Sequence, residues 1–171
     1  ISHVPFLLNE AGDQADLHLV RSNPIARALK PALPVKLAIS GGDSYVSPDW
    51  YDIDDQVPTW NYVAVHLTGT LELRPQEELL DLLDRQSAWF EDRLLPKPPW
   101  TTAKMNPVTM QKMMRMIVPC RMRITGVDGT WKLSQNKPDA VRLAAADGVE
   151  AHGFGAGTGS LADQMRAAKG A

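Results

Sequence analysis

Two short stretches concentrate side chains able to grip a flat ring with a polar edge. Val57-Pro58-Thr59-Trp60-Asn61-Tyr62-Val63-Ala64-Val65-His66 opens a strand with a hydroxyl, an amide and two aromatic rings, and Trp131-Lys132-Leu133-Ser134-Gln135-Asn136 closes one with a cation, a hydroxyl and two amides. An amide suits such an edge because it carries both a donor and an acceptor, which makes Asn61, Gln135 and Asn136 candidates, and Thr59 adds a hydroxyl. Trp60 or Tyr62 would cover a ring face by stacking, or else fill the core. Lys132 and Ser134 alternate onto one face of their strand. Together with Arg21 they supply what a phosphate dianion requires, cations and hydroxyl donors. Arg21 stands just before Asn23-Pro24, a capping Asn ahead of a Pro at the first helical position, and a helix start favours an anion.

Other chemistries find less support. There is no Gly-x-Ser-x-Gly elbow, no His-Glu-x-x-His and no Cys–His pair in a recognisable motif. His3, His18 and His66 alternate with apolar residues on strands but lack the spacing of a metal site. The lone Cys120 has Val118, Met122 and Ile124 as neighbours and reads as a core thiol. Gly153 to Gly159 follows no strand and lacks the Lys-Ser/Thr ending of a phosphate loop, so it reads as a linker.

The elements that must hold these residues are marked by periodicity. Alternation predicts strands at Val4-Phe6-Leu8, Leu17-Leu19, Val35-Leu37-Ile39 and, the longest, Trp60 to Arg74 with a bend at Gly69. A hairpin is expected from Cys120-Met122-Ile124 to Trp131-Leu133, turning at Asp128-Gly129. Helices are expected from Asn23-Pro24 to about Lys30, from Pro75 to about Leu95, after Asn106-Pro107, over Pro138 to Ala146, and from Ser160 onward. The second should turn Leu79, Leu82, Leu83, Trp89/Phe90 and Leu94 inward, and the third Met110, Met113 and Met114. Six antiparallel strands with crossing helices describe a small β-barrel of the α+β, mainly β type, without telling one six-stranded barrel from another.

At 171 residues, 44% of them apolar, the chain can fill one core unaided. No stretch approaches the roughly 18 apolar residues of a membrane span, and no signal-like segment opens the chain, so a cytoplasmic protein is expected. Net charge is only −2. It is unevenly spread: Lys104 to Arg142 holds eight basic and two acidic residues, a segment suited to a phosphate, a partner subunit, nucleic acid or plain solvent. No helix-turn-helix, zinc finger or other DNA reader is visible.

With Ser44-Tyr45-Val46-Ser47-Pro48-Asp49-Trp50-Tyr51 and Arg21-Ser22-Asn23-Pro24, the two opening stretches resemble the PaiB-type FMN-binding negative transcriptional regulators, a branch of the FMN-binding split-barrel proteins. The resemblance runs from about His3 to Arg142. It implies a six-stranded antiparallel split β-barrel with flanking helices over residues 1–137, while the Ala-rich helix, Gly run and last helix beyond it read as a C-terminal helical arm over 138–171. It also implies FMN between the two subunits of a homodimer, with Thr59, Trp60, Asn61, Lys132, Ser134, Gln135 and Asn136 on its most typical motifs; Arg21 and Asn23 complete the expected cofactor-binding residues. Ile1 then falls in what looks like the second barrel strand, so preceding residues are expected, and the 52–56 loop is shorter than the family's. Leu17 stands where a Gly is usual. Related barrels host flavin reductases and pyridoxamine phosphate oxidases, so an FMN-dependent oxidoreductase is the alternative, and a haem-handling split-barrel protein a further one.

Overall fold

A computed structural model describes residues 1–169 of the chain. Five strands, β1 (Phe6–Leu8), β2 (Gln14–Val20), β3 (Ala32–Val46), β4 (Thr59–Leu73) and β5 (Ile117–Lys132), form one sheet in the order β1-β2-β5-β4-β3. Among the described residues five α-helices accompany them, with short 3-10 turns between: α1 (Pro24–Ala28), α2 (Leu79–Glu91), α3 (Pro107–Met114), α4 (Asp139–His152) and α5 (Thr158–Ala167). The mainly-β α+β class expected from the sequence is found, but with five strands rather than six.

The missing strand is the expected hairpin. Residues 117–132 run as one strand, and neither Asp128 nor Gly129 takes the positive φ that a tight Asp-Gly turn demands. Gly129 has another task. The Trp131 ring lies across it, so closely that an added Cβ would stand 2.3 Å from Trp131 Cζ3.

The chain forms two compact units, residues 1–36 with 68–126 and residues 37–67 with 127–171. In the first, β2 pairs antiparallel with β1 and β5, with Leu17 opposite Cys120 and Ala15 opposite Met122. Ala15, Leu17, Leu19, Val118, Cys120 and Met122 are all buried, as are Leu79 and Leu82 of α2. Burial pushes the Cys120 thiol up to about 11, which makes it an inert core group. Asp16 accepts two hydrogen bonds from Arg121, at 2.6 and 3.0 Å, and one from Arg85 at 3.1 Å. Burial alone would raise its carboxyl, yet the two guanidinium groups prevail and hold it below the usual range.

Two helices present less to the core than their periodicity suggests. Trp89, Phe90 and Leu94 are exposed, and α3 buries none of its methionines, with Met113 55% exposed. An apolar stripe shows which side of a helix is apolar, not how far its partner surface extends. The caps behave as expected: Asn23 accepts from Ile25 N, Asn106 accepts from Val108 N and Thr109 N, and a Pro follows each.

The second unit is built on α4 and α5. Val141, Ala145, Ala146 and Val149 of α4 and Leu161, Ala162 and Met165 of α5 join Val46, Tyr51 and Leu133 in one buried cluster. Small residues let the parts close up, and at Gly148 an added Cβ would stand 2.5 Å from Trp50. Arg142, 3% exposed, ties the helices by donating to Met165 O at 2.9 Å and Asp139 Oδ1 at 2.6 Å. The segment expected as a free linker is held to β3: Asp43 N donates to Ala156 O at 2.8 Å and Tyr45 N to Phe154 O at 3.1 Å.

Candidate functional site

β4 begins on the second unit with Thr59 and Asn61 on one face, and Trp60, 40% exposed, on the other. Asn61 lies on the same side of the strand as the apolar Leu67 and Leu71 and is fully buried there. After β5 the chain turns sharply at Ser134, a non-glycine residue held at φ +60°. Gln135 fastens this turn, accepting from Leu133 N at 2.8 Å and donating to Trp131 O at 2.6 Å.

These two segments face a cleft of about 190 Å³. Thr59 and Asn61 line it from β4, Lys132 from the end of β5, and Ser134, Gln135, Asn136 and Lys137 from the turn. Tyr51, Gln56 and Val57 complete the lining. Six of the nine residues expected from sequence are therefore together: Thr59, Asn61, Lys132, Ser134, Gln135 and Asn136. Trp60 is not in the lining. Arg21 and Asn23 belong to the first unit, where both have internal partners. Arg21 donates to Gln76 Oε1 at 2.8 Å, Arg115 O at 3.0 Å and Ile117 O at 3.3 Å, while Asn23 caps α1 and donates to Ser2 Oγ at 3.0 Å.

At the cleft, a buried hydrogen-bond chain links three side chains. Asn61 Nδ2 donates to Ser134 Oγ at 2.9 Å, and the Tyr51 hydroxyl shares a 3.0 Å bond with the same oxygen. Asn61 Nδ2 also lies 3.5 Å from Met165 Sδ, a weak acceptor. Asn61 Oδ1 is left buried with no partner. Lys132 Nζ donates to Thr59 Oγ1 at 2.6 Å, and Lys137 Nζ donates to Gln56 Oε1 and sits 5.2 Å from the centre of the Tyr51 ring. Among the described residues no carboxylate lines the cleft.

Sequence reasoning missed Tyr51, Gln56 and Lys137. Lys137 follows Asn136 directly and a longer reading of the turn would have reached it, whereas nothing local in Tyr51 or Gln56 announces contact with a strand end some eighty residues away.

A second cleft, of about 440 Å³, lies on the first unit beside Asp16, Arg74, Glu78, Asp81, Arg85 and Arg121. It is larger, but these charges already satisfy one another: Arg85 and Arg121 bind Asp16, Arg85 binds Asp81, and Arg74 binds Glu78. Among the described residues Glu77 is the one carboxylate of that lining without a cationic partner, whereas in the smaller cleft both cations face neutral groups.

A mainly-β α+β chain with a cleft of cations, amides and hydroxyls is equipped to hold a polar-edged or anionic small molecule. The family described as "Putative FMN-binding domain" matches residues 1–126, and the chain belongs to it. The resemblance argued from the motifs is borne out, and family membership makes FMN the cofactor. The match ends before Lys132, so half of the cleft lies beyond it.

Among relatives, the chain is 28% identical over 138 residues to the protease synthase and sporulation protein PAI 2 of Bacillus subtilis, covering 80% of this chain and 65% of that one. It is 33% identical over 76 residues to an uncharacterized Saccharomyces cerevisiae protein, covering 40% and 45%. The chain thus spans less than two thirds of either relative. An uncharacterized Emericella nidulans protein is 25% identical over 194 residues, covering 91% of this chain and 77% of that one. Among solved structures, an FAD and heme binding protein from Mycobacterium smegmatis aligns with TM-score 0.48 at 17% identity, over 89% of this chain and 65% of that one. The flavocytochrome Anf3 from Azotobacter vinelandii aligns with TM-score 0.44 at 16% identity, over 75% and 53%.

The cleft residues suit a flavin. Its ring edge alternates carbonyl, N–H and carbonyl, and the cleft offers an unpartnered acceptor in Asn61 Oδ1 among ammonium and hydroxyl donors. The volume is informative as well. About 190 Å³ falls short of the roughly 300 Å³ at which small-molecule sites begin, so the cleft has room for only part of a flavin-sized molecule.

Proposed function

We propose that the chain is a PaiB-like, FMN-binding regulatory protein of the cytoplasm, with a split-barrel arrangement of its sheet and FMN held at the interface of a homodimer. One observation carries the cofactor site: a buried acceptor without a partner, Asn61 Oδ1, shares a cleft with two lysines whose partners are neutral. The small volume of the cleft supports a second copy closing over the rest of the cofactor, since a site shared across a twofold axis buries the same patch twice.

The residues have separable tasks in this reading. Asn61, steered by Ser134 and Tyr51, and Asn136 meet the ring edge, Thr59 adds a hydroxyl, and Lys132 adds a cation. Gln135 acts one step back, by fastening the turn that presents the others. Arg21 and Asn23 reach the cofactor in this scheme only by giving up the internal partners they have. FMN supplies redox chemistry when bound, and the protein supplies orientation and electrostatics. The visible spectrum of the purified protein after addition of FMN, read alongside sedimentation equilibrium, tests this. A flavin band co-sedimenting with a dimer is expected; a haem Soret band, or flavin bound to a monomer at micromolar concentration, would overturn it.

A further inference from the structure

Lys132 and Lys137 are cations facing neutral groups. One ammonium binds the Thr59 hydroxyl and the other the Gln56 amide oxygen, and among the described residues no carboxylate lines their cleft. A cation so placed favours a ligand that brings negative charge. Asn61 adds a restriction. It is fully buried, its Nδ2 is committed to Ser134 and Met165, and its Oδ1 has no protein partner, so a ligand that brings a donor suits it better than one that brings only acceptors.

A phosphate dianion has no donor to give. The pyrimidine edge of a flavin does: its N–H lies between two carbonyls, and the adjoining nitrogen–carbonyl unit becomes anionic when the ring takes up two electrons and one proton. Both demands of the cleft are met at that edge. On the footing that FMN occupies this cleft, we infer that Lys132 and Lys137 serve the ring edge rather than the phosphate and bind reduced flavin more tightly than oxidised flavin. Lys137 thereby joins the cofactor-binding residues, held in place by Gln56 and the face of Tyr51.

Potentiometric titration with dithionite tests this on the full chain loaded with FMN and, in parallel, with riboflavin. Lys132→Gln and Lys137→Gln should each cut the preference for reduced flavin about tenfold, a fall of about 30 mV in a two-electron midpoint. The fall should be the same for FMN and riboflavin, since riboflavin lacks only the phosphate. Lys132→Arg and Lys137→Arg, which keep the charge, should restore most of the midpoint and so separate charge from folding damage. An unchanged midpoint with a loss of FMN affinity that riboflavin does not share would place the lysines at the phosphate and overturn the inference while leaving the FMN site standing. Unchanged midpoints and affinities would remove both lysines from the cofactor. If the wild type takes up neither flavin, the FMN reading falls and the inference with it.

Discussion

Tyr51 reaches Ser134 from a 3-10 turn at Pro48–Tyr51, and the bond holds a residue whose backbone is in the left-handed region. Removing the hydroxyl leaves Ser134 Oγ with Asn61 alone. Tyr51→Phe should therefore cost about 1 kcal/mol, the net worth of one buried hydrogen bond, seen as a lower urea midpoint at unchanged slope. His18 gives a second residue-level expectation. Burial holds its ring below the ordinary 6.5, the neighbouring Gln86 side chain opposes this only in part, and Nδ1 is buried without a well-aligned partner. A depressed folded value means that the unfolded chain binds the proton first. Stability is then full above 6.5 and declines as pH falls from there through the folded value. Urea midpoints taken at about pH 7.5 and about pH 5 should differ in the wild type, and His18→Gln should flatten that difference; an equal difference in both proteins would place the pH dependence elsewhere.

At the scale of elements, β5 backbone crowds β4 at Gly69. An added Cβ there would stand 2.0 Å from Arg123 O, whereas at Gly126 it would meet only Thr68 Cβ, at 3.9 Å. Gly69→Ala has to push backbone from backbone and should cost at least the ~1–3 kcal/mol of ordinary overpacking. Gly126→Ala should change stability by less than about 0.5 kcal/mol, as at an open position. Thermal melts of the pair provide the check, and similar Tm values for the two variants would contradict the close approach.

For the molecule as a whole, net charge bears on partners rather than on fold. The chain carries −2 overall, and its basic segment is not a free stripe, because Arg121 is paired with Asp16 and Arg142 with Asp139. Among the described residues no helix is long and apolar enough to cross a membrane. Binding to duplex DNA is therefore expected to be weak, unspecific and steeply salt-dependent, by roughly 0.9 log units per tenfold salt for each phosphate neutralised. A salt titration on promoter and random duplexes would show this. A promoter preference above about a thousandfold at physiological salt would instead make the protein a direct DNA reader.

How much was legible beforehand follows from the range of each interaction. Strand alternation, the Asn-Pro caps and the two polar strand ends depend on residues a few positions apart, so β2, β4, α1, α3 and six of the cleft residues could be located without coordinates. Local rules failed where a distant group decided. Asp128-Gly129 carries a turn signal, but the strand continues through it and the Trp131 ring occupies the space beside Gly129. Arg21 is a cation before a helix, but Gln76 and the carbonyls of Arg115 and Ile117 take its donors. Trp89, Phe90 and Leu94 continue an apolar stripe that nothing in the described chain covers fully. Which residue types stand ready at each strand end can be read along the chain. Which of them meet is a matter of the folded chain, because a buried acceptor such as Asn61 Oδ1 is satisfied or left wanting by groups far along the sequence.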